Sequence, residues 1–231
     1  MMKEFPYHTA LIVGAGAGIS ASLARGLAAA GLKVGLAARN ADKLAPLAAE
    51  TGAQTFAVDA SDQAAVERLF VDVDARLGEP DVVVYNASGR TRGPLVDLDP
   101  QAVLKAITIS AYGGFLVAQQ AARRMTPRAK GAILLTGASA SVKGFALSAA
   151  FAMGKFALRG LAQSAARELG PKGIHVAHFV IDGGVRSATR QDKDDNMLDP
   201  DAIAQTYIDV LRQPRSAWSL EVELRPWVET F

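Results

Sequence analysis

Six short, nearly continuous apolar runs alternate with longer stretches of helical spacing between residues 9 and 181, and no other feature limits the fold as much. The runs are "TALIVG" (9–14), "KVGLAAR" (33–39), "QTFAVD" (54–59), "DVVVYNA" (81–87), "GAILLTG" (131–137) and "HVAHFVI" (175–181). Runs of this length without polar alternation suit strands buried on both faces, as in a parallel sheet. The stretches between them include "SASLARGLAAAGL", "NADKLAPLAAETG", "DQAAVERLFVDVDARLG" and "DPQAVLKAITISAYGGFLVAQQAARRM", and several close at a glycine, where helices tend to end. Ser148 can cap the helix that carries Lys155, and Gly170 with Pro171 stops it. This alternation predicts a doubly wound α/β sandwich. A short helix, "DAIAQTYIDVLRQ", and a final strand, "LEVELRP", complete the chain. No repeat or linker interrupts it, so one domain over residues 1–231 is expected.

Composition removes several function classes. The chain has no cysteine, which excludes disulfides, thiolate metal sites and a cysteine nucleophile. His8, His175 and His178 form no metal-ligand pattern, so no metal is expected. A net charge of +2 gives no argument for nucleic acid. The basic run from Arg123 to Lys130 reads as a solvated helix end and loop. "MMKEFPYH" lacks a signal peptide's apolar segment and no run of eighteen apolar residues occurs, so no membrane association and a cytoplasmic location are expected. The one shift in composition is the aspartate-rich "RSATRQDKDDNMLDPDA" (186–202), where open α/β folds place crevice loops; it reads as a substrate loop.

The first strand ends in Gly14, Ala15, Gly16, Ala17, Gly18, Ile19 and Ser20 and runs directly into a helix. Glycines there let the backbone turn tightly and let a pyrophosphate approach free N–H groups at the positive end of the helix. No lysine of a nucleoside-triphosphate loop accompanies them, which excludes an ATPase reading. Strand two ends at Arg39, where an acidic residue would bond both ribose hydroxyls of NAD and repel a 2′-phosphate. A planar guanidinium suits that phosphate, so NADP(H) is favoured over NAD(H). Asp59, with Ala60 beside it, can accept from an adenine amino group, and Asn86, Ala87 and Ser88 can lie beside a ribose.

Together these features resemble the short-chain dehydrogenase/reductase family from about residue 7 to residue 187: a glycine turn on strand one, an aspartate after strand three, Asn86 and Ala87 after strand four, and Lys155 on the helix after strand five. The resemblance implies a mostly parallel seven-stranded sheet in one Rossmann-like domain, NAD(P)(H) as cofactor, a small-molecule substrate, and a homodimer or homotetramer formed through the two long helices. It also implies that Lys155 bonds the nicotinamide ribose and tunes a catalytic tyrosine four residues earlier. One helical turn puts both side chains on one face.

The chain departs from the pattern at that tyrosine, which is Phe151. The family's serine position falls on Ala138, with Ser139 one residue on, and its asparagine position falls on Ser110. The usual proline and glycine after strand six are replaced by Ile181 to Gly184, leaving Gly183 and Val185 to meet the carboxamide and Ser187 near the usual threonine. Ala152, Phe156 and Leu158 read as a packed helix around Lys155. Without the phenol, a proton must come from elsewhere: Ser139, Ser148, Tyr112, Asp182, water or the substrate itself. The expectation is an NADP(H)-dependent oxidoreductase with Lys155, Ser139 and Phe151 at its centre. The alternatives are a catalytically silent nucleotide-binding sensor or subunit, and a lyase- or isomerase-like use of the same pocket.

Overall fold

A computed structural model describes residues 5–192 and 194–229 of the chain. Lys193, inside the anticipated substrate loop, and both chain ends of the anticipated domain lie outside the described residues. Seven strands, β1 (Thr9–Val13), β2 (Lys33–Ala38), β3 (Gln54–Ala57), β4 (Val82–Tyr85), β5 (Gly131–Thr136), β6 (Ile174–Ile181) and β7 (Glu221–Leu224), form one sheet in the order β3-β2-β1-β4-β5-β6-β7. Every neighbouring pair is parallel, so the expected "mostly parallel" sheet is parallel throughout. All residues of β1, β4, β5 and β6 are buried, which is why these strands read as unbroken apolar runs.

Successive side chains of a strand point to opposite faces, and the sheet therefore builds two cores. Leu11, Val13, Val83, Tyr85, Ile133 and Leu135 face α3 (Gln63–Leu77), α5 (Gly113–Arg128) and α6 (Ala149–Leu169). Ala10, Ile12, Val82, Val84, Ala132 and Leu134 face α1 (Ile19–Ala29) and α7 (Pro200–Leu211). The short helices α2 (Ala45–Thr51) and α4 (Pro100–Ile107) complete the set. Asp62, Asp99 and Asp199 cap α3, α4 and α7, each accepting from first-turn amides.

Four local expectations are corrected. The stretch anticipated as one helix over 99–125 is α4, a π-helical turn at Thr108–Tyr112, and then α5. The turn bulges because it wraps the buried Tyr85, whose hydroxyl donates to the Ile109 carbonyl, and Gly113 offers no Cβ to strike that hydroxyl. Second, α5 runs through Pro127 to Arg128, and its basic end is not simply solvated. Arg124 makes a fork to Asp74 at 2.7 and 3.0 Å, and Arg128 reaches Asp81 at 2.8 Å, clamping α5 to α3 and to the start of β4. Third, Ser148 occupies the N-cap of α6 but its side chain caps nothing. Fourth, Phe156 is exposed while Leu158 is fully buried. The helical stretch Pro100–Arg128 is long and apolar enough to cross a membrane by length and composition alone, but Leu116, Val117, Ala121 and Met125 lie in the core.

Candidate dinucleotide and active site

The strand order reverses between β1 and β4, and in open α/β sheets such a reversal leaves a crevice beyond the carboxyl ends of the strands. A cavity of about 990 Å³ opens there. It is lined by Gly14, Gly16 and Ala17 of the glycine turn, by Arg39 after β2, by Asp59 and Ala60 after β3, and by Asn86, Ala87 and Ser88 after β4. Nine of the anticipated cofactor-binding residues thus meet in one space. Gly18 instead lines a second, adjoining cavity of about 540 Å³, which it shares with Arg186, Ser187 and Asp192 of the loop before α7. Ile19, Lys155, Gly183 and Val185 line neither cavity.

The glycine turn is built to be thin. Gly14 has φ +86°, and a Cβ on it would lie 2.2 Å from the Ala87 backbone nitrogen, so only glycine lets the end of β1 pass the end of β4. Ala37 anchors the turn by accepting from the amides of Gly14 and Ala15 at 2.9 and 3.0 Å. Ser20 then ties it across: Asn86 Nδ2 donates to Ser20 Oγ at 2.7 Å, and Ser20 Oγ donates to the Gly14 carbonyl at 3.2 Å. Asn86 is therefore a brace for the glycine turn as well as a wall of the cavity. No side chain caps the N-terminus of α1 behind this turn, so its first amides carry the positive end of the helix uncapped.

At the far wall, Arg39 is exposed and takes part in no ion pair among the described residues, while Arg25 is committed to Glu50 through two bonds of 2.6 and 2.9 Å. Lys43, four residues beyond Arg39, lines the same cavity and was not anticipated from the sequence. Asp59 is kept ionised well below the usual carboxylate range by the Ser61 hydroxyl and amide, with Arg39 and Lys105 adding to the effect.

The anticipated catalytic residues lie beyond this cavity. Lys155 is buried on α6, and its ammonium donates to the Thr136 carbonyl at 2.7 Å. Its Nζ is 5.9 Å from the Phe151 ring centroid, as expected for residues one turn apart. Burial, and then the Arg90 charge, lower its pKa to about 8. Ser139 bonds the Asp182 carboxylate, which Lys143 and Arg225 also approach, at 3.3 and 3.5 Å. These partners hold Asp182 below its ordinary range against the opposing effect of burial.

Ser110 does not reach toward Lys155; its hydroxyl accepts from the Gly89 amide at 3.0 Å and pairs with the Gly89 carbonyl at 3.3 Å. Ser187 accepts from the Arg190 amide, and Val185 forms a bridge with Leu198 and packs on the core. Gly183 has φ +151° and sits against Pro226, where a Cβ would approach to 2.7 Å. From the sequence, Ser20 reads only as the last residue of the glycine turn, without its bracing role, and Arg90 is not singled out, because an arginine in a loop carries no periodic or motif signal.

An all-parallel sheet with a glycine turn and a nucleotide-sized cavity at its point of reversal defines a Rossmann-type dinucleotide-binding protein. A family model described as short chain dehydrogenase matches residues 8–198, and the chain belongs to this short-chain dehydrogenase/reductase family of NAD(P)-binding oxidoreductases. It is similar to a short-chain dehydrogenase/reductase from Armillaria gallica, 35% identical over 181 residues that cover 74% of this chain and 69% of the relative. A crystal structure of a short-chain dehydrogenase from Rhodopseudomonas palustris is 36% identical and superposes with a TM-score of 0.84, covering 95% of this chain and 99% of that one. A metagenomic short-chain oxidoreductase in complex with NADP is 27% identical, with a TM-score of 0.85 and coverage of 98% and 100%.

Proposed function

We propose that the protein is an NADP(H)-dependent oxidoreductase with an atypical proton-transfer apparatus. The observation that carries the cofactor choice is Arg39: a guanidinium just after β2, on the wall of the glycine-turn cavity, that makes no ion pair among the described residues and stands where an acidic residue would repel a 2′-phosphate. Lys43 on the same wall adds a second cation. When bound, the dinucleotide supplies or accepts the hydride. The chain's own part is to cradle it with Gly14, Gly16, Ala17, Asn86, Ala87 and Ser88, and to present Lys155 and Phe151 at the reacting end.

Phe151 has no proton to give, and a positioned acid or base contributes roughly 10²–10⁴-fold to such a step. Orientation of cofactor and substrate still accelerates the hydride step. Slow turnover, limited by protonation, follows. Ser139, whose hydroxyl bonds Asp182, is the group read as meeting a substrate oxygen. The loop from 186 to 202 is read as the substrate loop, supported by the second cavity that it shares with Gly18. A second copy of this chain is the proposed partner, through the exposed Tyr112 and Phe115 at the start of α5 and Met153 and Phe156 on α6.

The test is NADPH consumption by purified protein over a broad panel of carbonyls and activated alkenes. Slow, saturable oxidation with at least one class is expected. NADPH binding without turnover on any member overturns the oxidoreductase reading.

A further inference from the structure

We propose that Arg90, seated on the Phe151 ring, is the binding site for an anionic group of the substrate, a carboxylate or comparable oxyanion. This rests on the oxidoreductase reading above and narrows its substrate class to carbonyl compounds that carry a negative charge. The Arg90 guanidinium carbon lies 4.0 Å from the Phe151 ring centroid, and Lys155 Nζ lies 5.9 Å from the same centroid. A guanidinium stacked on a ring has one face covered, while the N–H donors around its edge stay available for a planar oxyanion.

Several arginines of the fold are engaged by carboxylates: Arg25 by Glu50, Arg124 by Asp74, Arg128 by Asp81, Arg159 by Glu221 and Arg186 by Asp199. Arg90 has no such partner among the described residues. The carboxylate at the neighbouring end of β6, Asp182, is engaged by Ser139 and Lys143. Two cations, Arg90 and Lys155, therefore flank one aromatic ring without an ion-pair partner among the described residues, and each raises the cost of the other. The Arg90 charge helps lower the Lys155 pKa, which is the signature of that repulsion. A bound anion relieves both.

The segment that carries Arg90 is held at both ends. Before it, Gly89 is locked to Ser110 by two hydrogen bonds, and a Cβ on Gly89 would lie 2.6 Å from Ala106 Cα. After it, the Gly93 amide donates to the Leu147 carbonyl at 3.1 Å. Leu147 itself holds φ +63°, a conformation rare for a branched residue and one that recurs where backbone is constrained for function. On this reading the replacement of the family's tyrosine has a positive consequence: the ring without its hydroxyl serves as the platform of an anion clamp.

The experiment is calorimetric titration of the protein, alone and saturated with NADP⁺, with 2-oxobutanoate, 3-oxobutanoate and 4-oxopentanoate and with the methyl ester of each. Wild type is expected to bind at least one acid roughly 10- to 100-fold more tightly than its ester, the span of a charge-assisted hydrogen bond. Arg90→Gln abolishes that preference, and Arg90→Lys restores part of it. Arg90 is exposed, so the variants keep the fold, which thermal melting checks. Acids and esters binding alike, no acid binding at all, or a preference that survives Arg90→Gln overturns the anion site. NADPH titration of the same wild-type preparation separates the two readings. An Arg90-dependent preference for acids without NADPH affinity keeps the anion site and sinks the oxidoreductase, and NADPH affinity without the preference does the reverse.

Discussion

Replacing Lys155 with methionine removes a charge that the fold holds out of water. Lys155 is buried with the Thr136 carbonyl as its one hydrogen-bond partner among the described residues, and its pKa falls from 10.5 to about 8, first through burial and then through Arg90. At ~1.4 kcal/mol per tenfold change in proton affinity, this gap corresponds to roughly 3 kcal/mol of stability that the charged form forfeits. The sign follows from proton counting. Below pH 8 folded and unfolded chains both carry the proton, and the folded chain bears the full penalty. Between pH 8 and 10.5 the folded chain has released it and the unfolded chain has not. The unfolded state then binds more protons, so this group makes the unfolding free energy rise with pH across the window. His178, which faces Lys155 from β6, is pushed below its ordinary range chiefly by burial and stays neutral there.

The assay is urea unfolding of wild type and Lys155→Met from pH 7 to 10.5, with the difference taken at each pH so that other alkaline groups cancel. Wild type is expected to gain about 3 kcal/mol on the variant between the two ends, with unchanged m-values. A difference that stays constant across the range would refute the reasoning, because it would mean that the ammonium is solvated and titrates as an ordinary lysine.

Gly14→Ala puts a Cβ 2.2 Å from the Ala87 amide nitrogen at a φ of +86°; it is expected to cost more than ~1–3 kcal/mol in unfolding free energy and to weaken NADPH binding at least about tenfold, both readable by urea titration and calorimetry. Phe151→Tyr returns a phenol beside Lys155 and is expected to raise turnover by about 10²-fold or more on neutral carbonyls, measured by NADPH absorbance; no gain would show that the missing acid is not what limits the reaction. Phe156→Glu places a charge on the exposed apolar face of α6 and is expected to shift the protein to monomer in light scattering after size exclusion, with an unchanged oligomer counting against that face as the contact.

The parallel sheet was legible because its strands are buried on both sides, which leaves no polar residue to interrupt the runs. The expected strand ends differ from those observed by a residue or two, as at Gly14 and Arg39, since the chain beyond Val13 and Ala38 turns into the crevice. The helix over 99–125 hid its π-turn because the bulge is imposed by Tyr85 from another element, and helical spacing carries no trace of it. Arg124 and Arg128 looked like a solvated end for the same reason: Asp74 and Asp81 are 50 and 47 residues away in sequence. At the site, the glycine turn, Arg39, Asp59 and Asn86 were readable because a motif places them at strand ends. Ser20 and Arg90 were not, because their roles arise only when β1, β4 and α6 come together.

The most direct test of the account is calorimetric titration of wild type and Arg39→Ala with NADPH and with NADH. The account predicts that wild type binds NADPH at least about tenfold more tightly, and that the substitution removes most of this advantage while NADH affinity changes little. Equal losses for the two nucleotides, or no preference in wild type, would contradict it.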